Sequence, residues 1–255
     1  MTETVPTYTA QQVRDAERPL LDDGVPLMQR AATALADLVR AELDGIGDDV
    51  ITAESRTLES VTRGAPDTSR PRVLVLAGSG DNGGDALYTA SQLTDIADVD
   101  ALLVGDRFHE PAFAAATGAG VRRVELPELT GADGDYTLVI DGILGIGVSR
   151  DPALRGTARE AVTALLDSAQ RSKRMPRTYA VDIPSGLHPD TGTADDVVLP
   201  ASVTVTFGAV KAGLVTGRGP ELAGDIVLVD IGLGPSLTPV EPAGEASVSR
   251  IVEAG

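Results

Sequence analysis

The stretch VLVLAGSGDNGGDALYTA, residues 73–90, carries the clearest structural signal in this chain. Its opening run VLVL is apolar and predicts a buried strand, and the glycine-rich turn after it predicts the start of a helix. A strand that ends in glycines at a helix start is typical of an anion-binding loop, because free backbone N–H groups and the helix dipole point at the ligand. The G-x-G-x-x-G spacing of dinucleotide-binding folds is met by Gly78, Gly80 and Gly83.

Two carboxylates in this turn conflict with a simple pyrophosphate loop. Asp81 and Asp85 stand where the phosphates of a dinucleotide would lie, and like charges repel. An NAD(P)-dependent oxidoreductase is one interpretation of the spacing, since Asp106 stands roughly where a ribose-binding acid belongs. The two carboxylates make that interpretation the weaker one.

Strands alternate with helices from residue 72 onward. An amphipathic helix over residues 158–169 places Ala161 and Leu165 on its inner side. Alternation of this kind predicts an α/β fold with a mostly parallel sheet covered by helices on both faces, and the sequence shows no internal repeat or second domain. The predicted strands span residues 73–77, 101–104, 121–124, 138–140, 179–181, 203–207 and 226–229.

The two ends of the chain flank this predicted core. Thr9 and Gln12 form a capping-box pattern, which predicts a helix that begins near Ala10. Gly24 breaks this helix, and Pro26 suits the first turn of a second one. A single domain over residues 1–255 then comprises N-terminal helices (9–43), a polar insertion (44–71) that is mostly loop with a short helix near 53–61, an α/β core (72–233) and a loosely packed tail (234–255).

The composition excludes several classes of function. The formal net charge of −17 over 255 residues argues against a nucleic-acid partner, which needs clustered lysine and arginine. The absence of cysteine excludes disulfides and thiolate metal sites, and with only two histidines any metal is expected to be held by oxygen. The first residues lack the features of a signal peptide, and no apolar run reaches about 18 residues. We therefore expect a cytoplasmic protein without a membrane partner.

Three polar segments follow predicted strands. They are GSGDNGGD (78–85), DGILGIGVSR (141–150) and DIPSGLHPDTG (182–192), and each begins where a strand is predicted to end. Ligands of open parallel sheets bind beyond the carboxyl ends of the strands. We therefore expect these three segments to meet at one edge of the sheet.

Each segment also has a purely structural interpretation. Asp85 favours a helix N-terminus through the dipole, and Asp141 suits a turn or a cap. The run GIG at 145–147 is compatible with close packing, and PSG at 184–186 with an ordinary turn; His188 suits a loop. The functional interpretation rests on the combination of the three segments.

The polar side chains of these segments make chemical sense together. Asn82 supplies an amide oxygen, Asp141 a carboxylate and Ser185 a hydroxyl, and one negative charge among neutral oxygens suits a potassium ion better than Mg²⁺. The loop that ends in Arg150 offers backbone N–H groups and a guanidinium to phosphate. Asp182 is then the candidate for proton transfer, because burial can bring a carboxyl group to titrate near neutrality.

These segments resemble the NAD(P)H-hydrate epimerase family, also called the YjeF N-terminal domain family. The resemblance covers nearly the whole chain, and the elements DNGGD and DIPSG, in this order and at this spacing, are highly specific. It extends over GVPLMQRA (24–31), VIDGILGIGVSR (139–150), VTFGAVKAGL (205–214) and AGDIVLVDIGL (223–233).

The resemblance implies a Rossmann-like three-layer α/β/α sandwich and an isomerase. Its substrates would be hydrated NADH and NADPH (NADHX and NADPHX), whose R and S forms differ at the hydroxyl-bearing C6 of the nicotinamide ring. It implies potassium (K⁺) at Asn82, Asp141 and Ser185, a homodimer, and a separate ADP- or ATP-dependent dehydratase that consumes the S form. The residues implied for the substrate are Asp81, Asn82, Gly83, Gly84, Asp85, Gly145, Ile146, Gly147, Val148, Ser149, Arg150, Asp151 and Asp182, the last as the catalytic residue that faces the reactive ring.

Three departures from the family pattern leave a second function open. Asp81 replaces an asparagine, Ala86 replaces a glycine, and Ile146 stands where the family has a hydroxyl-bearing residue. These changes suit an inactive member that binds nucleotide or serves as a scaffold. Retention of the other polar residues favours the active epimerase, and the sequence leaves the role of Lys211 undetermined.

Overall fold

The computed structural model describes residues 2–55, 70–129, 136–147 and 151–255. None of the helices in these ranges is long and apolar enough to span a membrane. The strands are β1 (Glu3–Tyr8), β2 (Arg72–Ala77), β3 (Asp98–Leu103), β4 (Arg122–Arg123), β5 (Leu138–Gly142), β6 (Arg177–Val181), β7 (Val203–Phe207), β8 (Val210–Lys211), β9 (Asp225–Asp230), β10 (Gly244–Val248) and β11 (Arg250–Glu253). The helices are α1 (Ala10–Asp22), α2 (Leu27–Ser55), α3 (Asp81–Ser91), α4 (Glu110–Gly118), α5 (Leu126–Leu129), α6 (Gly156–Ser172), α7 (Gly219–Leu222) and α8 (Gly234–Leu237).

Eight of these strands form one sheet in the order β11-β9-β7-β6-β5-β2-β3-β4, and each neighbouring pair is parallel. The predicted parallel sheet is therefore confirmed, and each predicted strand overlaps an observed one. The chain moves outward from β2 to β3 and β4, and then continues on the other side of β2 with β5. The ends of β2 and β5 thus flank the topological switch point, where open α/β sheets bind their ligands.

Helices cover both faces of the sheet. Val73 and Val75 of β2 pack in a core with α1 to α4, whereas Leu74 and Leu76 pack on the opposite face in a core with α5 and α6. All four side chains are fully buried. The uninterrupted apolar run VLVL follows from this arrangement, because a strand that is covered on both faces has no polar side. The result is the three-layer α/β/α sandwich that the resemblance implies.

The N-terminal helices begin where the sequence predicts. The Thr9 hydroxyl accepts a hydrogen bond from the Gln12 N–H (3.3 Å), and the Gln12 side chain accepts one from the Thr9 N–H (2.8 Å), which completes the capping box of α1. Gly24 follows α1 with φ +74°, in the left-handed region that favours glycine. The next helix, α2, begins directly after Pro26.

The helix α2 is longer than predicted, because it continues to Ser55. The prediction of a loop is therefore wrong over residues 44–52, and residues 53–55 are helical as predicted. Each glycine in this part costs a helix only about 1 kcal/mol, and the preceding turn is held by packing of the buried Leu43. Residues 56–69 of the predicted insertion lie outside the described residues, and so does most of the short helix predicted at 53–61.

The tail, which the sequence predicted to be loosely packed, instead forms two strands. Ala246 and Val248 of β10 are buried, and they alternate with exposed residues. The prediction gave more weight to the Pro, Gly and Ser content of the tail than to this two-residue period. The strands β10, β1 and β8 form a second sheet, in which Tyr8 of β1 pairs with Lys211 of β8. Both ends of the chain thus contribute to a sheet that contains Lys211.

Candidate active site

The loops after β2 and β5 touch through their backbones at the switch point. The Gly78 N–H donates to the Gly142 carbonyl (3.0 Å), and a Cβ atom at Gly78 would overlap the Ile143 carbonyl. A Cβ atom at Gly83 would overlap the Gly78 carbonyl in turn, whereas a Cβ at Gly80 would meet open space. Two glycines of the G-x-G-x-x-G spacing are therefore required by close packing of the backbone.

Asn82 connects α3 with the loops after β5 and β6. Its side-chain Nδ2 donates to the carbonyl oxygens of Val181 (2.5 Å) and Leu144 (3.3 Å). A Cβ atom at Gly145 would overlap the Asn82 Oδ1 oxygen, so the glycine keeps the space beside that oxygen free of side-chain atoms. The first and second polar segments thus meet the end of β6, as their positions after the strands predicted.

Asp141 and Ser185 form a buried pair. The Asp141 carboxylate is fully buried and accepts hydrogen bonds from the Ser185 hydroxyl (2.6 Å), the Ser185 N–H (2.9 Å) and the Ile143 N–H (3.3 Å). The Ser185 hydroxyl in turn accepts from the Leu144 N–H (2.9 Å). Burial raises the pKa of Asp141, and these hydrogen bonds act against that rise. The second and third polar segments are therefore fixed to each other through Asp141.

Asp182 lies just past the end of β6 in a restricted backbone conformation. Its φ is +67°, which is uncommon for a residue other than glycine and is found most often where tertiary contacts hold it. The Asp182 Oδ1 oxygen accepts hydrogen bonds from the Thr206 hydroxyl (3.1 Å), the Phe207 N–H (3.1 Å) and the Lys211 ammonium. Among the described residues no donor binds Oδ2, so one carboxylate oxygen is fixed and the other is free of protein donors.

Lys211 is a candidate site residue to which the sequence assigned no role. Its side chain is 1% exposed, and its ammonium donates to Asp182 and to the Phe207 carbonyl (2.9 Å). A buried ammonium is stable only when it is paired and hydrogen-bonded. The signal was a single lysine inside the apolar run GAVKAGL, where a surface lysine would be unusual.

Asp85 differs from the other buried carboxylates because one of its oxygens has no partner. The side chain is 7% exposed, and its Oδ1 is the only buried side-chain nitrogen or oxygen without a hydrogen bond in the described part of the chain. Burial raises the pKa of Asp85 well above its ordinary value, and the negative charges of Asp182, Asp81 and Glu17 raise it further, against the opposing effect of Lys211. Carboxyl groups from α1, α3 and the end of β6 thus share one electrostatic environment.

Glu17 of α1 belongs to this environment although the sequence did not single it out. Burial raises the pKa of Glu17; the Lys211 ammonium lowers it, and Asp182 and Asp81 raise it. The same helix approaches the glycine-rich loop after β5, because Arg14 donates to the Ile146 carbonyl (2.7 Å). The N-terminal helix therefore forms one side of the candidate site.

The predicted phosphate loop is described only in part. Residues 145–147 and Asp151 are described, whereas Val148, Ser149 and Arg150 lie outside the described residues. The Asp151 carboxylate accepts hydrogen bonds from the Ala153 N–H (3.0 Å) and from Arg155 (2.5 Å). The phosphate-binding role of the loop stays a prediction.

A cavity of about 290 Å³ opens beside the two glycine-rich loops. Neither Asp85 nor Asp182 lines it. A ligand that reached both the cavity and these carboxylates would extend across the switch point, as an elongated nucleotide can. The lining residues include Gly78, Ser79, Gly105, Leu144, Asp151 and Arg155.

Comparison with known proteins agrees with this arrangement. The family model described as YjeF-related protein N-terminus matches residues 25–213. A protein of Microbacterium testaceum named NAD(P)H-hydrate epimerase is 52% identical, over 99% of this chain and 88% of the relative. A protein of the same name from Clavibacter michiganensis is 44% identical, over 89% of this chain and 90% of the relative.

Two further similarities concern a larger enzyme and a solved structure. A Mycobacterium tuberculosis protein named bifunctional NAD(P)H-hydrate repair enzyme Nnr is 38% identical over 91% of this chain, which spans 43% of that relative. The crystal structure of a yeast protein has the same fold, with a TM-score of 0.63 at 17% identity over 82% of this chain and 83% of that chain. The extent of the family match and the identity to relatives of similar length lead to one conclusion: the chain belongs to the family of YjeF-related protein N-termini, as the elements DNGGD and DIPSG indicated.

Proposed function

We propose that this chain interconverts the R and S forms of hydrated NADH and NADPH and is thus an isomerase of nicotinamide-nucleotide repair. This proposal is supported by relatives of similar length that are named NAD(P)H-hydrate epimerase. The structural observation that carries the proposal is Asp182, a buried carboxylate beyond β6 with one fixed oxygen and one oxygen to which no described residue donates. No observation favours the inactive nucleotide-binding alternative.

The chemistry of this reaction requires proton transfer and no change of oxidation state. The inverted carbon bears a ring nitrogen and a hydroxyl group. Protonation of the hydroxyl allows water to leave while the nitrogen lone pair forms a C=N bond, and water then adds to the opposite face of the ring. Asp182 supplies a proton-transfer group, and neighbouring carboxylates stabilise the positive charge that develops on the ring.

The potassium ion of the proposal would be held by Asn82, Asp141 and Ser185. These residues fit such an ion in their chemistry, because one carboxylate stands among neutral oxygens and Gly145 keeps the space beside Asn82 Oδ1 free of side-chain atoms. When bound, the ion supplies positive charge that holds the loops after β2, β5 and β6 together. Asn82 and Ser185 already join these loops through Leu144, which supports the same role.

The nucleotide part of the substrate would lie along the loops at the switch point. Residues 81–85 and 145–151 would bind it, with backbone N–H groups toward the phosphates. Ile146 offers no hydroxyl, but its carbonyl is fixed by Arg14, so the course of the loop does not depend on a side-chain hydroxyl there.

The proposed reaction needs a second enzyme, because epimerisation alone does not restore the cofactor. That enzyme would be a separate ADP- or ATP-dependent dehydratase acting on the S form. Bifunctional NAD(P)H-hydrate repair enzymes among the relatives, of which this chain spans less than half, support a link between two activities in one pathway. We also propose that the protein is a homodimer and is located in the cytoplasm.

The experiment that tests this function starts from purified R-form NADPHX with a stereospecific dehydratase and its nucleotide cosubstrate. Recovery of NADPH faster than the spontaneous rate supports the epimerase, and recovery at the spontaneous rate in a folded sample contradicts it. Asp182→Asn is expected to lower the rate about 10²- to 10⁴-fold, the usual contribution of a general acid or base. Asp225→Asn, at an exposed residue where β9 begins, is the matched control, and replacement of KCl by NaCl tests the ion.

A further inference from the structure

Two carboxyl groups lie on different elements of the candidate site. One is paired with an ammonium, and the other has an oxygen without a partner among the described residues. Asp182 follows β6 and contacts Lys211, whereas Asp85 lies in α3. The two differ in surroundings, as an acid and a base must: Asp182 contacts the Lys211 ammonium directly, whereas three acidic groups oppose the weaker influence of Lys211 on Asp85.

The geometry of α3 brings Asp85 to the same crevice as Asp182. Asn82 donates to the carbonyl of Val181, the residue directly before Asp182, which places the first turn of α3 against the end of β6. Asp85 is three residues after Asn82 and therefore lies on the same side of the helix. The electrostatic influence of Asp182 on Asp85 is consistent with this proximity.

The surroundings of Asp85 stabilise its neutral form. The groups that act on it are Asp81 of its own helix, Asp182 beyond β6, Glu17 of α1 and the Lys211 ammonium of β8. Three of the four are acidic, the side chain is more than nine-tenths buried, and none of the described residues donates to Oδ1. A buried oxygen without a partner is costly unless a ligand or a proton satisfies it.

We propose, on the basis of the epimerase function above, that Asp85 and Asp182 are a pair of catalytic carboxyl groups that serve opposite faces of the hydrated nicotinamide ring. In one direction the Asp85 carboxyl donates its proton to the C6 hydroxyl, the C6–O bond breaks and water leaves, and the ring nitrogen forms a C=N bond with C6. Water then adds from the other face: its oxygen bonds to C6, the C=N electron pair returns to nitrogen, and Asp182 accepts the released proton.

The opposite direction exchanges the two roles. Asp182, now protonated, donates to the hydroxyl on its own face, and ionised Asp85 accepts the proton of the water that adds. The free enzyme therefore has two forms that differ only in which carboxyl group holds the proton. Each form accepts one epimer, and solvent returns the proton between them.

Oxygen exchange separates this arrangement from catalysis by Asp182 alone. In H₂¹⁸O the parent enzyme incorporates ¹⁸O at C6 of both epimers as it inverts them. Asp85→Asn is expected to invert at least about 100-fold more slowly and to retain exchange in only the epimer whose hydroxyl faces Asp182. Asp182→Asn is expected to retain exchange in only the other epimer. Asp225→Asn, an exposed residue at the opposite edge of the sheet, serves as the control with parental rates.

Several results would overturn the pair. Inversion by Asp85→Asn at the parental rate, or loss of exchange in both epimers at once, contradicts a division between two faces. A parent enzyme whose kcat/KM does not fall as Asp85 ionises at high pH also contradicts it, and this measurement needs no variant. A parent that does not exceed the spontaneous rate instead removes the epimerase function itself, so the two failures are distinguishable.

Discussion

The parallel strands of the large sheet all end on one side, the carboxyl edge, and all begin on the other, the amino edge. A buried aspartate lies at each of these edges, and the surroundings of the two shift the carboxyl pKa in opposite directions. At the carboxyl edge, Asp85 Oδ1 has no hydrogen-bond partner among the described residues, and burial raises the pKa of Asp85. At the amino edge, Asp100 of β3 is as deeply buried but accepts hydrogen bonds from Arg122 (2.8 and 2.9 Å), Tyr136 (2.9 Å) and Arg72 (3.0 Å). Burial alone would raise the pKa of Asp100, but these hydrogen bonds outweigh it and the pKa is lowered.

The contrast between Asp85 and Asp100 separates a functional carboxylate from a structural one. The cluster of Asp100 is complete without a ligand, since the Arg72 guanidinium also stacks over the Tyr136 ring at 4.7 Å. The cluster around Asp182 has one ammonium, Lys211, for several carboxyl groups. Both aspartates are nearly inaccessible to solvent, and the balance of donors and charges around them distinguishes the two sites.

The largest effect on stability is expected at the carboxyl edge. Lys211→Met removes the ammonium that balances Asp182 and leaves an uncompensated buried charge, which costs about 3–5 kcal/mol. The free energy of unfolding from urea titration measures this loss. The double variant Asp182→Asn/Lys211→Met removes both charges and is expected to regain most of it. If Lys211→Met were as stable as the parent, the ion pair would not hold the site together.

A smaller loss is expected at the amino edge, and it should leave catalysis unchanged. Asp100→Asn weakens charge-assisted hydrogen bonds and costs about 1–3 kcal/mol. Because the folded-state pKa of Asp100 is lowered, its contribution is present above the ordinary pKa and is lost as the pH falls through the folded value. The difference in unfolding free energy between parent and variant should therefore shrink in acid. A fall in epimerisation rate would contradict a purely structural role.

The smallest effect on stability has the opposite sign. Asp85→Asn removes a carboxyl group that resists ionisation in the folded state, and a gain of about 0.5–2 kcal/mol is typical for relief of such a constraint. Because burial raises the folded pKa of Asp85, the penalty is absent below the ordinary pKa and grows as the pH rises toward the folded value. Melting temperature measured from pH 4 to pH 9 should thus show a gain in the variant only at the higher pH. A destabilised variant at pH 9 would mean that Asp85 is paired in solution.

Local patterns were enough to predict most of the core. The capping box at Thr9, the apolar run of β2 and the amphipathic helix α6 each depend on residues close in sequence. The period of apolar residues indicates which side of an element is buried, and the order of elements then favours a parallel sheet. The same logic placed DNGGD, Asp141 and DIPSG at one edge, and the structure brings these three together.

Prediction failed where the deciding contact lies far away in the chain. The tail has a weak alternating pattern that becomes a strand because β1, more than 200 residues earlier, offers an edge for β10. Residues 44–52 continue α2 although their own composition favours a loop. Local composition indicates the secondary structure that a segment favours in isolation. Contacts with distant parts of the chain can outweigh that preference.

Periodicity and motifs in the sequence are enough to predict the parallel α/β core, the edge at which the polar segments gather and the family to which the chain belongs. The pairing of the polar groups within that edge follows only from contacts between distant segments: Lys211 pairs with Asp182, Ser185 pairs with Asp141, and no described residue donates to Asp85 Oδ1. Periodicity and motifs follow from local backbone geometry. Whether a buried carboxyl group has a partner depends on atoms that distant segments bring within about 3 Å.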